Sequence, residues 1–585
     1  MRILVAWVSV FICAVSLNAA SLRDYVPKDV LAYVEWRNGT SLGKTYSRST
    51  TSKLVQRIEF EQMLGQMIQQ ASGMAMMMGG GLSDDMGGDM GGMNQMMGMT
   101  QMITPMIGAL SDAEVSVYVV KSDRKDIPVK VGVICRGGEG AMMLRQQMQM
   151  MVQMGQGMAA QKGTESLIEM IEGEEIFGVI LGGSRYESFS WVGETGVVSN
   201  PKFKKMLEQS GGESVMAAFV DVKAGLDFAL EQRWIDQIHL EQMAEYGFGN
   251  VTAAGYIGGI HGKDWVTLTA LFTEGKHEGI LSLFDQPMIE SQDLAVVPID
   301  SPYMSVVKID GDNTFNKMLE LASRFDPTGQ NSIEANLESM KDQMGIDLKN
   351  DILKQLKNGG VVYFDPALGD KAETVMDSVC LAVRVTDESA FMNTLEKAFA
   401  MVGQMFEIKK TITDDGVIIE LANPMSSQFV GMSKKWVVVT SKRKLVEGAL
   451  DRIANNGESI LANEIFLRTR DDFVSVPMWQ FTYADLIQTA PAMYSANEGM
   501  MNPMFPTLGT LARYLDPMGS VVWSDREGVY AKSISPFPFS FVLTPQSEIS
   551  SNLFGMFSKF GMSQSMPGMP MQQSQPQEFD NIWQQ

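Results

Sequence analysis

The sequence predicts an α+β protein made of two tandem, distantly similar halves, each a mostly antiparallel sheet with helices packed on one face. Three observations lead there. Runs rich in Val and Tyr place apolar residues at alternate positions, the pattern of strands with one buried face. Most of these runs are joined by short turns, with helices at a few fixed points, which argues against the regular strand and helix alternation of a doubly wound parallel sheet. The same order of elements also occurs twice along the 585 residues.

Each half opens on a Val-Pro-x-Asp turn before a strand. Val26-Pro27-Lys28-Asp29 leads into Val30 to Trp36, and Val297-Pro298-Ile299-Asp300 leads into Tyr303 to Ile309. Helical segments follow at Ser52 to Gln70 in the first half, and at Asn313 to Arg324 and Ser332 to Met344 in the second. Then come paired strands: Glu114 to Val120 with Val129 to Arg136, and Gly360 to Phe364 with Val379 to Val385. The next helices are Ala141 to Met158 and Ser389 to Phe406, the latter with Asp387 as N-cap.

A hairpin and helix at Ser188 to Ser199 and Pro201 to Glu208 match Ser427 to Met432, Lys435 to Ser441 and Lys442 to Ile453. Ala217 to Leu226 then matches Met478 to Leu486. The closing strands are Ala253 to Ile260 with Trp265 to Phe272, against Gly519 to Ser524 with Gly528 to Ile534. The sequence therefore divides into a first half at 21–290 and a second at 291–545, with the boundary near Gln286 to Ala295. Each half is long enough to bury its own core.

Two segments stand apart. Residues 73–101 are dominated by Met and Gly, and 546–585 form a Gln-, Met- and Pro-rich tail. Glycine-rich stretches are costly to order and Met specifies packing poorly, so a disordered insert and a mostly disordered tail are expected.

Met1-Arg2, an apolar run from Ile3 to Leu17 and the small-residue exit Asn18-Ala19-Ala20 read as a secretory signal peptide cut after Ala20. The run is shorter than the roughly 20 apolar residues that span a bilayer. The mature chain is thus expected to be exported, periplasmic or extracellular, with no integral membrane segment after cleavage. Its 69 acidic and 47 basic residues give a net charge of −22, which repels phosphate backbones and argues against nucleic-acid partners. Beyond the leader, Cys135 and Cys380 sit in strand-like runs; two buried small apolar residues are the plain reading, and whether they pair stays open.

The second half resembles an exported bacterial family catalogued only as a domain of unknown function. The resemblance rests on Gly345-Ile346-Asp347-Leu348 through Asp351-Ile352-Leu353, on Val383 to Asp387, and on Trp436 to Ser441 with Leu445 to Ile453. The start of the mature chain, Val26 to Glu35, is similar to the way such proteins begin. These motifs are structural, so the resemblance implies location and architecture and carries no activity; the Met-rich insert departs from it.

Signatures of catalysis are missing. Gly431-Met432-Ser433-Lys434-Lys435 has only the first half of a nucleophile elbow, and Gly247-Phe248-Gly249 lacks the third glycine and preceding strand of a dinucleotide site and reads as a turn. The histidines are His239, His261 and His277; His277-Glu278 has no second histidine at zinc-protease spacing, and all three read as surface or hydrogen-bonded structural residues. The suggestive constellation is methionine, because thioether sulfur suits Cu(I): Met74, Met76, Met77, Met78, Met86, Met90, Met93, Met96, Met97 and Met99 lie in the insert. Met142, Met143, Met150 and Met154 continue the bias into a helix, where they are expected to pack.

The sequence thus points to a non-enzymatic exported protein acting by binding, or as an envelope component, with a protein or envelope partner and no cofactor. Two alternatives stand beside it: soft-metal (Cu(I)) binding through the Met-rich insert, and an enzyme whose site carries no recognisable motif. No catalytic or cofactor-binding residue is assigned, and the metal ligands stay undefined.

Overall fold

The computed structural model describes residues 22–37, 42–55, 113–122, 124, 127–137, 139–164, 166–172, 176–182, 196–325, 327–367, 375–403, 406–422, 427–496 and 506–544. The expected leader, the Met-rich insert, the tail and most of the hairpin at 188–199 lie outside them.

The strands are β1 (Ala32–Trp36), β2 (Glu114–Lys121), β3 (Val129–Arg136), β4 (Ile168–Glu172), β5 (Ile176–Leu181), β6 (Glu213–Val220), β7 (Val251–His261), β8 (Asp264–Thr273) and β9 (Tyr303–Val307). After them come β10 (Gly360–Phe364), β11 (Val379–Arg384), β12 (Glu407–Thr413), β13 (Gly416–Ala422), β14 (Ser427–Ser433), β15 (Trp436–Thr440), β16 (Met478–Ala484), β17 (Met518–Asp525) and β18 (Gly528–Ser535). All described pairings are antiparallel. They run β4-β5-β3-β2-β1-β6-β7-β8 and then, without interruption, β18-β17-β16-β9-β10-β11-β15-β14-β13-β12. The α+β class with an antiparallel sheet is therefore what forms.

The sheet does not stop at the expected boundary. β8 pairs with β18 from Gly528 opposite Phe272 to Ser535 opposite Trp265, which removes two edges that would otherwise leave backbone groups unpaired. The largest buried cluster crosses that boundary too, taking Tyr33, Phe219 and Leu268 together with Tyr363, Phe481, Trp523 and Tyr530. Smaller clusters lie beneath individual helices. Under α3 (Glu139–Lys162), Leu144, Met148 and Val152 meet Cys135, Phe177 and Val179. Under α9 (Glu388–Val402), Phe391 and Phe399 meet Ile419, Leu421 and Val430.

The remaining helices are α1 (Gly43–Arg48), α2 (Thr50–Val55), α4 (Pro201–Ser210), α5 (Val222–Glu231), α6 (Gln237–Glu245), α7 (Gly311–Phe325), α8 (Pro327–Met344), α10 (Arg443–Asn455), α11 (Glu464–Asp471), α12 (Leu486–Ala496) and α13 (Leu508–Leu511). Asp387 caps α9 as the sequence predicts, accepting from the Ala390 amide at 3.0 Å. α5 and α6 are separate helices, because Arg233 takes a left-handed φ of 59° and Asp236 caps a new start at α6. Gly247 is a turn residue, with φ 92°, and a Cβ there would lie 2.1 Å from the Glu278 carbonyl. The helix matched to α4 in the sequence, α10, packs on β14 and β15, whereas α4 packs on β7 and β8. Neither cysteine is in a disulfide; both are buried, on β3 and β11, and burial pushes the Cys380 thiol up to about 12.

Candidate functional site

β1 runs between β2 and β6, so its side chains are covered on the face that turns inward. Alternation puts Tyr33 and Glu35 on that face together, each 1% exposed. A carboxylate there needs partners, since burying an unpaired charge costs several kcal/mol or more. The short turn Leu22–Tyr25 supplies one: Arg23 donates from Nε to Glu35 Oε2 at 2.7 Å and from Nη2 to Oε1. Tyr33 donates to Glu35 Oε2 at 2.5 Å, and the Arg23 guanidinium lies 5.5 Å above the Phe203 ring. Next along the sheet, Glu114 accepts from Arg136 Nη2 at 2.7 Å and has Arg37 Nε at 3.5 Å. Burial pushes the Glu114 carboxyl up, with Arg136 opposing and Glu35 adding to the rise. Burial alone would lower the Arg23 guanidinium, but the charge and hydrogen bonds of Glu35 hold it above its ordinary value. Both carboxylates are 1% exposed, and the network clamps the turn at Leu22–Tyr25 to the sheet.

A second constellation escaped the sequence. His277 Nδ1 lies 2.6 Å from Asp285 Oδ1 and its Nε2 lies 3.1 Å from Thr273 Oγ1. The order of contacts matches an acid, base and hydroxyl relay, yet His277 and Thr273 are 4% and 6% exposed. The triad ties the end of β8 to the turn at Gly279–Phe284. No sequence pattern could announce it, because Thr273, His277 and Asp285 are brought together by that turn alone. His239 lies at the start of α6, where its amide donates to the capping Asp236 carboxylate at 3.2 Å. His261 contacts the Gly211 carbonyl at 2.9 Å and lies 3.8 Å from Asp472. No group of three or more His, Cys, Asp or Glu suited to a metal occurs among the described residues. Ser433, weighed as a nucleophile, is a buried strand residue before a tight turn in which Lys434 and Lys435 both have positive φ.

An open cleft of about 410 Å³ lies where α1 meets the ends of β6 and β7. Lys44, Thr45, Arg48, Gly211, Gly212 and Glu213 line most of it, and Thr45 donates to Glu213 at 3.0 Å. It offers two cations, a hydroxyl and glycine backbone. Beyond it, burial pushes the Asp264 carboxyl up to about 6; Lys263 opposes the rise, and Asp516 and Asp472 add to it.

The methionines of α3 correct the sequence reading. Met142, Met143, Met150 and Met154 do not pack: they are 67%, 47%, 61% and 60% exposed. The helix instead buries Ala141, Leu144, Met148 and Val152, which recur every three or four residues on one side. The other four fall off that stripe. Met151 and Met158 are exposed as well, and residues 146–161 carry no charge.

No protein-family model matches the chain, and no curated protein matches it. A solved structure titled "Structure of crystal form IV of TP0453" aligns with 43% of this chain and 83% of that one, at 14% identity and a TM-score of 0.23. A likeness at that score carries no argument here. No described helix is long and apolar enough to cross a membrane.

Proposed function

We propose that the chain is an exported, non-catalytic binding scaffold, or envelope component, formed by two tandem copies of one sheet-and-helix unit. The observation that carries the binding reading is a contrast of position. Groups with the chemistry to react, Glu35, Glu114, Thr273 and His277, are buried and held by hydrogen bonds or ion pairs, with the exposed Asp285 anchoring His277, whereas the open cleft presents Lys44, Thr45, Arg48 and glycine backbone, groups that hold a ligand without transforming it. Export is supported by the leader-like pattern of Met1 to Ala20.

The duplicated reading draws on pairings that repeat. β1 with β2 and β6 is matched by β9 with β10 and β16, and β6-β7-β8 by β16-β17-β18. The register shift between Ser214 and Met216 in β6 recurs between Met478 and Gln480 in β16. Pro27 bridges Gly196 and Pro298 bridges Ser459. Each bridge precedes an asparagine-capped helix, α4 behind Asn200 and α11 behind Asn463, so α11 and not α10 is the counterpart of α4. Asp221 and Asp485 start α5 and α12, with amides bonded to the Leu31 and Pro302 carbonyls.

The test is photocrosslinking in intact cells, with p-benzoylphenylalanine at Thr45 in the cleft and, as control, at the exposed Ile412. A discrete adduct to an envelope component from the cleft alone is expected. Turnover of any ester or amide substrate that disappears in Thr273→Val would sink the non-catalytic reading.

A further inference from the structure

We propose that the solvent face of α3 is a thioether site for a soft monovalent cation, Cu(I) or Ag(I), held by Met150, Met151 and Met154. Surface helix positions ordinarily carry polar or charged residues. Here six methionines, 47–67% exposed, take those places on a helix whose inner side is already packed by Leu144, Met148 and Val152. Sulfur is what repeats along this face: no exposed Leu, Ile or Phe occurs on α3.

Position makes the three convergent. At about 100° and 1.5 Å per residue, Met150, Met151 and Met154 fall within an arc of about 100° and an axial span of about 6 Å. Residues three and four apart bring their Cβ atoms to about 5–6 Å, and three rotatable bonds let each unbranched side chain turn its sulfur to a common point. Met158, one turn further, continues the row. Thioether ligands without His, Cys or carboxylate neighbours select Cu(I)-like ions over Zn(II) or Mg(II). No cationic side chain occupies residues 146–161 to repel an ion, and Arg145 is paired with Glu172 at 2.9 Å. The chain's net charge of −22 raises the local concentration of any cation.

The site is separate from the insert at 73–101 and depends on the binding reading only in giving that scaffold a ligand; its failure leaves the cleft and its crosslinking test untouched. The full mature chain is titrated anaerobically with Cu(I) against a chromogenic chelator, beside Met150→Leu/Met151→Leu/Met154→Leu, which keeps volume and helix propensity and deletes three sulfurs. Loss of one bound ion, or at least a tenfold weakening, is expected in the triple variant, and no change in Met142→Leu, whose side chain points away from the arc. Chelator-corrected affinity should be constant from pH 5 to 8, because no thioether titrates. In the unmodified chain, Ag(I) should shield Met150, Met151 and Met154 from peroxide oxidation in peptide mapping while Met142 oxidises freely. Wild-type binding in the triple variant, loss of all binding on deleting 73–101 alone, or equal oxidation of the four methionines with Ag(I) present would each overturn the proposal.

Discussion

Replacing Glu35 by Ala tests the clamp on β1. Glu35 and Arg23 are 1% and 7% exposed, and the carboxylate accepts two bonds from Arg23 and one from Tyr33. Removing it takes the shared carboxylate from a buried guanidinium and a buried phenol, and breaking a buried pair from one side costs about 3–5 kcal/mol. Glu35→Gln keeps the shape and an acceptor for Tyr33 but removes the charge facing Arg23, so an intermediate loss of about 2 kcal/mol is expected. The informative variant is Arg23→Met/Glu35→Leu, which removes both charges and keeps apolar bulk against Phe203; it should recover most of the loss, since apolar replacements of buried pairs are often neutral or better. Equilibrium urea unfolding followed by tryptophan fluorescence, with refolding checked, gives the three free energies. A loss below about 1 kcal/mol for Glu35→Ala, or a double variant as unstable as the single one, would refute the claim that pairing rather than bulk holds the turn to β1.

Asp264 sets a pH dependence. Its folded-state pKa of about 6 lies above the ordinary carboxyl value, so the fold retains a proton that the unfolded chain releases; this contribution is full below about pH 4 and is lost as pH rises through 6. Asp264→Asn should therefore stabilise by about 1 kcal/mol at pH 7.5, after allowance for solvent screening, and not at pH 4; denaturation at the two pH values checks it. Gly359 has φ 67°, and a Cβ there would meet the Val307 carbonyl at 1.9 Å, so Gly359→Ala should cost at least about 2 kcal/mol. Gly225→Ala, in α5 with nothing within 4 Å, should stabilise by about 0.5–1 kcal/mol, and urea midpoints report both. Residues 21–290 expressed alone would bare the β8 edge that β18 covers; light scattering should find self-association, and a stable monomer would contradict the importance of that seam.

Several elements were legible because they depend on neighbours in sequence. Apolar residues at alternate positions mark β2, β3 and β8, and Asp387 caps α9 as the sequence predicts. The sequence does not mark β12, because five of its seven residues, Glu407 to Lys410 and Ile412, are solvent-facing at the end of the strand series and leave no buried apolar alternation to read. The helix methionines were misjudged for a related reason: periodicity identifies a face but does not say which face finds the sheet. Of the candidate sites, none was visible in advance. Glu35 meets Arg23 across 12 residues and a chain reversal, and the cleft gathers α1 with Gly211 to Glu213 from far along the chain.

By itself, the sequence determined the class of structure, α+β with antiparallel strands, because backbone alternation and capping are local and each residue's contribution can be read in place. Only the tertiary structure decided that one sheet runs through both parts of the chain and that β8 and β18 close on each other. It also decided that buried ions pair under β1 while six sulfurs face solvent on α3. Strand partners, burial and convergent side chains are set by packing between distant segments, and the energy that selects them exists only once those segments have met.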